Sequence, residues 1–263
     1  MKSVLVKDIG ERHIGFESLS LDLNGLGIKK IRDIVDLQDL KGIKRLELQG
    51  NKLTAVENLE HLNNLEELFL GGNKISKIEC LDSLLRLKRL VLNSNNFSII
   101  HGFEGMANLR RLGLSLNNIS HIQGLDTLFN LQELDLSINQ ITNITGLDNL
   151  INLRLLNLQS NKITHIQGLQ KLKNLEYLNL SRNPLKSIDG IEALTNLRDL
   201  FLNYTNLNSI VNELDKLPKL KSVSVKGRLG YIPFEEFRYL IEEKNIDVLP
   251  YGIPPYEPYD ASL

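Results

Sequence analysis

Few residues in this chain of 263 amino acids could make or break a covalent bond or hold a metal ion. The histidines are His13, His61, His101, His121 and His165, and the single cysteine is Cys80. One cysteine excludes both an internal disulfide and a multi-cysteine zinc site. Neither of the glycine-rich phosphate-loop patterns, GxxxxGK and GxGxxG, occurs, and there is no G-x-S-x-G nucleophile elbow. The expectation is a chain without catalytic activity, cofactor or metal. Cys80 reads as buried packing rather than a reactive thiol, which needs an exposed electropositive setting. The chemistry that remains is recognition by arginine, carboxylate and aromatic side chains.

Composition narrows what is recognised. There are 31 Lys+Arg against 32 Asp+Glu, a formal net charge of -1. Nucleic-acid binders and polybasic membrane anchors show a basic excess, so neither partner is expected. The cluster Arg86, Lys88, Arg89, Arg110 and Arg111 reads as a solvated patch. Met1 to Gly15 lacks an apolar run of export-signal length and no stretch reaches membrane-spanning length, so a cytoplasmic protein is expected.

The elements that must position any recognition residue follow from an internal repeat. Asn51, Asn73, Asn95, Asn117, Asn139, Asn161 and Asn183 recur every 22 residues, and Thr205 takes the next position. Asn24 is read as the first member, displaced by an insertion, and Arg228 as the last. Between Asn139 and Ser160, Ile141, Ile144, Leu147, Leu150, Leu153, Leu156 and Leu158 keep one phase. The closing L-x-L is a short strand with both leucines on one face. The spacing of three before it suits tight turns or extended arms rather than a long α-helix. A unit this small buries its apolar face only by stacking on its neighbours. Ten strands are expected, from Leu19/Leu21 through Leu46/Leu48 and Leu200/Leu202 to Val223/Val225. His121 and His165 share a phase two units apart, roughly 10 Å at the strand spacing and too far for one metal ion.

The recurring amide offers two donors and an acceptor to backbone groups stranded where the chain turns away from its strand. A second series, Gly102, Gly124, Gly146, Gly168 and Gly190, is preceded in phase by Asn58 and Cys80. It implies positive φ or tight space.

These residues resemble the leucine-rich-repeat family. The 22-residue unit with its I-x-G-L segment is similar to the subfamily of the leucine-rich regulatory subunit of type-one protein phosphatase and of the bacterial internalins. The resemblance implies a right-handed solenoid with a parallel β-sheet on the concave face and short helical turns or extended arms on the convex face. It also implies a protein-binding role, that of a scaffold or adaptor, with a phosphatase-regulator-like subunit as one form of it. The alternative is a structural subunit held through its convex side or ends. In the phosphatase subunit, acidic and aromatic concave residues bind the enzyme. The matching column here, Glu47, Phe69, Val91, Gly113, Asp135, Asn157, Asn179 and Phe201, is only partly of that kind.

In each strand, the residues before, between and after the leucines point to the concave face. Arg89 and Arg111 stand beside Phe69 and Val91, then come Glu133 and Asp135, then Leu155, Tyr177, Phe201 and Tyr204. Exposed aromatics and arginines dominate binding hot spots, so these ten residues are the expected contact set for a protein partner. The unbound protein is expected to be a monomer. The chain divides into an N-terminal cap (1–17), the solenoid (18–228), a helix–strand cap (229–249) and a Pro/Tyr-rich tail (250–263). Val4, Val6, Ile9, Ile14 and Phe16 are the apolar cover of the first cap. Ile28 to Leu37 suit one amphipathic helical segment. Pro233 to Lys244 reads as a helix with Phe234, Phe237, Leu240 and Ile241 on one face, followed by a strand over Ile246 to Leu249. Pro255 and Pro258 form a bare P-x-x-P in the tail.

Overall fold

The structure is a computed structural model describing residues 2–7, 10–14, 19–78, 81–226, 234–242 and 244–249; of 2–5, 10–14, 234–237 and 248–249 only the backbone is described. Cys80, Arg228, Pro233, Ile9, Phe16, the side chains of Val4, His13, Ile14, Phe234 and Phe237, and the tail from Pro250 therefore lie outside it.

An 11-stranded parallel sheet runs through the molecule in sequence order, from Ser20–Asp22 to Asp247–Leu249. Each strand is three residues long and pairs with its neighbour one repeat away, Leu134 with both Leu112 and Leu156. The L-x-L pairs and the apolar series between them are almost wholly buried and form one continuous core from Val6 to Ile246. Every turn therefore shares its leucines with the turns on either side, as a stacked repeat requires.

The asparagine ladder holds this stack. The Asn161 amide donates to Leu136 O and Leu158 O, and its Oδ1 accepts from the Ile163-to-Asn183 pattern's counterpart one turn earlier, Ile141 N, at 3.0 Å. Asn51 through Asn183 repeat this arrangement, all buried. Thr205 ends it with one bond, to Leu202 O. Asn24 is not a rung. The first strand centres on Leu21, which pairs with Leu46, so Leu21 and Leu23 are its core pair and Leu19 is exposed. The L-x-L-x-L run at Leu19 to Leu23 permits either choice, and packing selects the later one. That register sets Asn24 opposite Gln49, whose N–H it accepts at 2.7 Å.

The glycine series has both properties that its phase allows. Gly146 has φ 70°, and a Cβ there would sit 2.6 Å from Ile122 O. Asp36 and Asn58 hold the same phase with φ 61° and 56°.

Ile28 to Leu37 is not one helix. It holds 3-10 turns at Ile31–Asp33 and Leu37–Asp39, separated by the strand Ile34–Val35, which Asp36 in its left-handed conformation interrupts. That strand pairs with Lys2–Val6, itself paired with Gly10–Ile14, giving a small antiparallel sheet at the N-terminal end. At the other end the helix Phe234–Glu242 buries Leu240 but leaves Ile241 exposed, contrary to the expected apolar face. The strand Asp247–Leu249 follows and pairs with Ser222–Ser224. No helix among the described residues is long and apolar enough to cross a membrane.

Candidate functional site

The side chains facing away from the core on the sheet form three columns. The first precedes the inner leucine of each strand: Arg45, Glu67, Arg89, Arg111, Glu133, Leu155, Tyr177 and Asp199. Its charges are used within the face. Arg45 reaches Glu47 at 2.7 Å and Glu67 at 3.0 Å, and Arg111 reaches Glu133 at 3.1 Å. Arg45 and Arg89 also lie over the Phe69 ring, their guanidinium carbons 4.4 and 4.9 Å from its centre. Phe69 is buried beneath them.

The second column lies between the two leucines, and where it meets the end of the first the expectation of exposed aromatics is corrected. Tyr177 and Phe201 keep only 3% and 2% of their surface, and with Leu155 they form a small apolar cluster separate from the main core. The two rings are 5.0 Å apart and tilted by 36°. Parallel strands lie about 4.8 Å apart, so apolar side chains on successive turns cover one another on the sheet surface. Burial pushes the Tyr177 hydroxyl well above its ordinary pKa, with Asp135 and Asp199 adding to that and an Asn179 hydrogen bond opposing it. Val91 and Asp135 are buried as well, and the Asp135 carboxylate accepts from Ser137 N at 2.8 Å. Arg111 and Tyr204 are exposed among the ten expected contact residues, and Arg89 and Glu133 are half-buried. Tyr204 has φ 58° and the Arg182 guanidinium 4.9 Å from its ring centre.

The third column follows the second leucine and escaped the sequence reading: Gln49, Gly71, Asn93, Ser115, Ser137, Gln159, Ser181 and Asn203. It is neutral throughout, and polar at every position but Gly71. Over the first half of the face it borders an open cavity of about 630 Å3, floored by Gly25, Gly50, Gly71 and Gly72 and walled by Asn24, Gln49, Val91, Asn93 and Leu116. The signal was the glycine content of GLG, QGN and GGN at the ends of the early strands, where later turns carry Ser, Leu, Ile or Arg. Gly113 beside it makes room for the Asn93 side chain, since a Cβ there would meet Asn93 Oδ1 at 2.7 Å. Asn93 in turn accepts from Ser115 N at 3.0 Å.

The basic cluster is not a bare patch. Lys88 pairs with Glu66, Arg86 donates to Asn64, Arg89 covers Phe69 and Arg111 pairs with Glu133. His121 and His165 are exposed and each shares a hydrogen bond with the preceding hydroxyl, from Ser120 and Thr164 at 2.9 Å. Among the described residues no group of three His, Cys, Asp or Glu could hold a metal ion.

Comparison with known proteins agrees with this geometry. A family model described as Leucine Rich repeats (2 copies) matches residues 41–85, 129–171 and 151–193. The chain is similar to internalin C2 of Listeria monocytogenes, with 30% identity and a TM-score of 0.67, over 76% of this chain and 88% of that one. A leucine-rich-repeat protein of Leptospira interrogans is similar at 28% identity and a TM-score of 0.76 over 87% of this chain; the match spans 59% of that protein's length. The TLR13 chain of a TLR13–ssRNA13 complex shares the fold at 22% identity and a TM-score of 0.67, over 87% of this chain and 40% of that one. No curated protein matches.

Proposed function

We propose, from the premise that the chain belongs to the leucine-rich-repeat family, that it is a non-catalytic scaffold that binds another protein in the first half of its concave face. The observation that carries this reading is the glycine-floored cavity of about 630 Å3. Glycine at four floor positions leaves room for a partner's backbone to approach the sheet. The walls supply uncharged amides and Leu116, and beside them stand Arg89 and Arg111. Apolar anchors inside a polar rim are the usual make-up of a protein interface. Arg–Glu pairs, amides and glycines are suited to recognition rather than to bond-making.

Arg89 and Arg111 are the proposed direct contacts among the ten expected residues; Glu133 holds Arg111 from the border of the other half, and Tyr204, though exposed, stands at the far end of the face. Phe69, Val91, Asp135, Leu155, Tyr177 and Phe201 are proposed to shape the face from beneath. In the column compared above with the phosphatase subunit, Phe69, Asp135 and Phe201 are buried. The reading is therefore a general protein-binding one, with no phosphatase specified.

Filling the cavity tests it. Gly71 has no positive φ, and a Cβ there meets nothing nearer than Asn93 O at 3.4 Å. Gly71→Leu should fold with an unchanged melt and lose at least about 10-fold in recovery of the bound protein during affinity purification, the loss of one hot-spot contact. Equal recovery by the folded variant, or turnover of a substrate lost with a single side chain, would contradict the reading.

A further inference from the structure

Charge is unevenly spread over the turns. In the six residues that begin at the third concave column, over 49–54, 71–76, 93–98, 115–120, 137–142, 159–164, 181–186 and 203–208, there is no Asp or Glu. The charges on this strip are Lys52, Lys74, Lys162, Arg182 and Lys186. The strip follows the C-terminal ends of the strands. The residue just after the third column has positive φ on every turn from Gly50 to Tyr204. Glycine, asparagine and aspartate enter that conformation most easily, and a β-branched residue there is an outlier. Leu116 and Ile138 nevertheless occupy it, both with φ 53°, and stay 49% and 43% exposed. Tyr204 does the same at φ 58° with 47% exposed. The core is complete without these side chains, and strained positions kept for no local reason point to function.

The N–H groups of this row are already used. Leu116 N–H donates to Ser137 O at 3.0 Å and Ile138 N–H to Gln159 O at 2.8 Å. A segment crossing the edge is therefore held by side-chain contacts rather than by strand pairing. The chain supplies such a segment. Asp247–Leu249 is the eleventh strand and runs parallel to Ser222–Ser224, so the chain leaves it at this same edge. Residues 250–263 read PYGIPPYEPYDASL: Tyr251, Ile253, Tyr256 and Tyr259 among four prolines, with Glu257 and Asp260 and no Lys or Arg. Proline favours the polyproline II conformation, which makes no internal hydrogen bonds and needs no ladder beside it. The two carboxylates meet no acid on the strip.

We propose that residues 250–263 dock along this edge of their own solenoid, from Tyr204 to Leu116. Length permits it. Leu116 follows the fifth strand, six strand spacings from the eleventh, or about 29 Å. At about 3.1 Å per residue that takes about ten residues, and 250–263 supplies fourteen. On the same scale Tyr251 and Ile253 bracket Tyr204, Tyr256 falls near Ile138, and Tyr259 near Leu116. Leu116 is also a wall of the glycine-floored cavity. A docked segment and a partner in the cavity therefore exclude one another, a second step that rests on the concave-face reading.

Chymotryptic cleavage after Tyr256, followed by mass spectrometry, tests the docking without any partner. Cleavage should be at least about 10-fold slower in the full chain than in a synthetic peptide of residues 250–263, because a protease acts on the released state. Ile138→Asp should restore the peptide's rate with an unchanged melt, since aspartate suits the left-handed backbone and the side chain lies outside the core. Tyr256→Asp, which leaves the solenoid untouched, should free cleavage after Tyr251 in the same way. Equal cleavage of the full chain and the peptide would overturn the proposal, and so would slow cleavage that neither variant relieves. Protection that rises with protein concentration would assign the edge to the tail of a second copy and overturn docking within one chain. Tyr256→Asp should also raise recovery of the bound protein by at least about 3-fold, since the competent fraction grows. A released tail with equal recovery would overturn the exclusion step, while Gly71→Leu decides the concave-face reading separately.

Discussion

The two halves of the concave face are made by the same repeat yet differ in what the repeat leaves open. From Arg45–Glu47 to Arg111–Gly113, glycines at the strand ends hollow the surface, and arginines cover the one aromatic, Phe69. From Glu133–Asp135 to Asp199–Phe201, Leu155, Tyr177 and Phe201 fill the surface with a small core of their own. A large apolar residue in a concave column is thus not by itself a contact residue. Its role depends on the neighbouring turns: another apolar side chain there closes it off, and a glycine leaves a cavity.

The largest expected effect bears on what the two halves share. Asn139 stands between them, with its amide on Leu114 O, Leu136 O and Ser137 O and its Oδ1 on Ile119 N. Asn139→Leu should cost about 1–3 kcal/mol for each buried group left unpaired. Asn73→Leu and Asn161→Leu, one in each half, should lose similar amounts in urea unfolding. A large difference between those two would mean that the halves differ in their backbone framework and not only in their surface.

Next comes the contrast itself. Tyr177→Ala removes a buried ring and should destabilise by about 3 kcal/mol. Arg111→Ala, on an exposed side chain, should stay within about 0.5 kcal/mol. Calorimetry of the two variants checks this, and equal shifts would erase the distinction between a filled half and an open one.

A smaller effect is expected at Gly113. Its missing Cβ leaves Asn93 free to accept from Ser115 N. Gly113→Ala should push the flexible Asn93 side chain aside at a cost of about 1 kcal/mol, the worth of that hydrogen bond. A shift in thermal denaturation well above this would mean that the open half is as tightly packed as the filled one.

The smallest effect is in acid. Lys88 and then Lys44, by hydrogen bonding to it, hold the Glu66 carboxyl below its usual range at the rim of the first half. A depressed folded pKa gives stability that is present above the unfolded value of about 4.3 and lost as pH falls through the folded one. Glu66→Gln should therefore flatten the acid limb of the stability profile below about pH 4 and leave neutral pH nearly unchanged. An unaltered acid limb would remove this pair from the account.

The period was legible because the leucines, asparagines and glycines hold one phase through every turn, and each has a physical reason to be there. Coverage was less legible. Leu155, Tyr177 and Phe201 lie about one repeat apart, a spacing that permits their meeting, but whether side chains on successive turns cover one another depends on packing that no single column records. The first strand was misplaced by two residues because Leu19, Leu21 and Leu23 alternate evenly, and only pairing with Leu46 decides between them. The same error made Asn24 look like a rung. The cavity is less legible because a glycine at a strand end carries no side chain whose type signals a role.

The central claim, that the first half of the concave face binds and the second half supports, is tested most directly by measuring melting temperature and partner affinity together for Arg111→Glu and Tyr177→Ala. The account predicts that Arg111→Glu loses about 10-fold or more in affinity with its melt unchanged. It predicts that Tyr177→Ala melts lower and, at a temperature where it is folded, keeps its affinity. The reverse pattern, an intact melt with lost binding for Tyr177→Ala and full binding for Arg111→Glu, would contradict it.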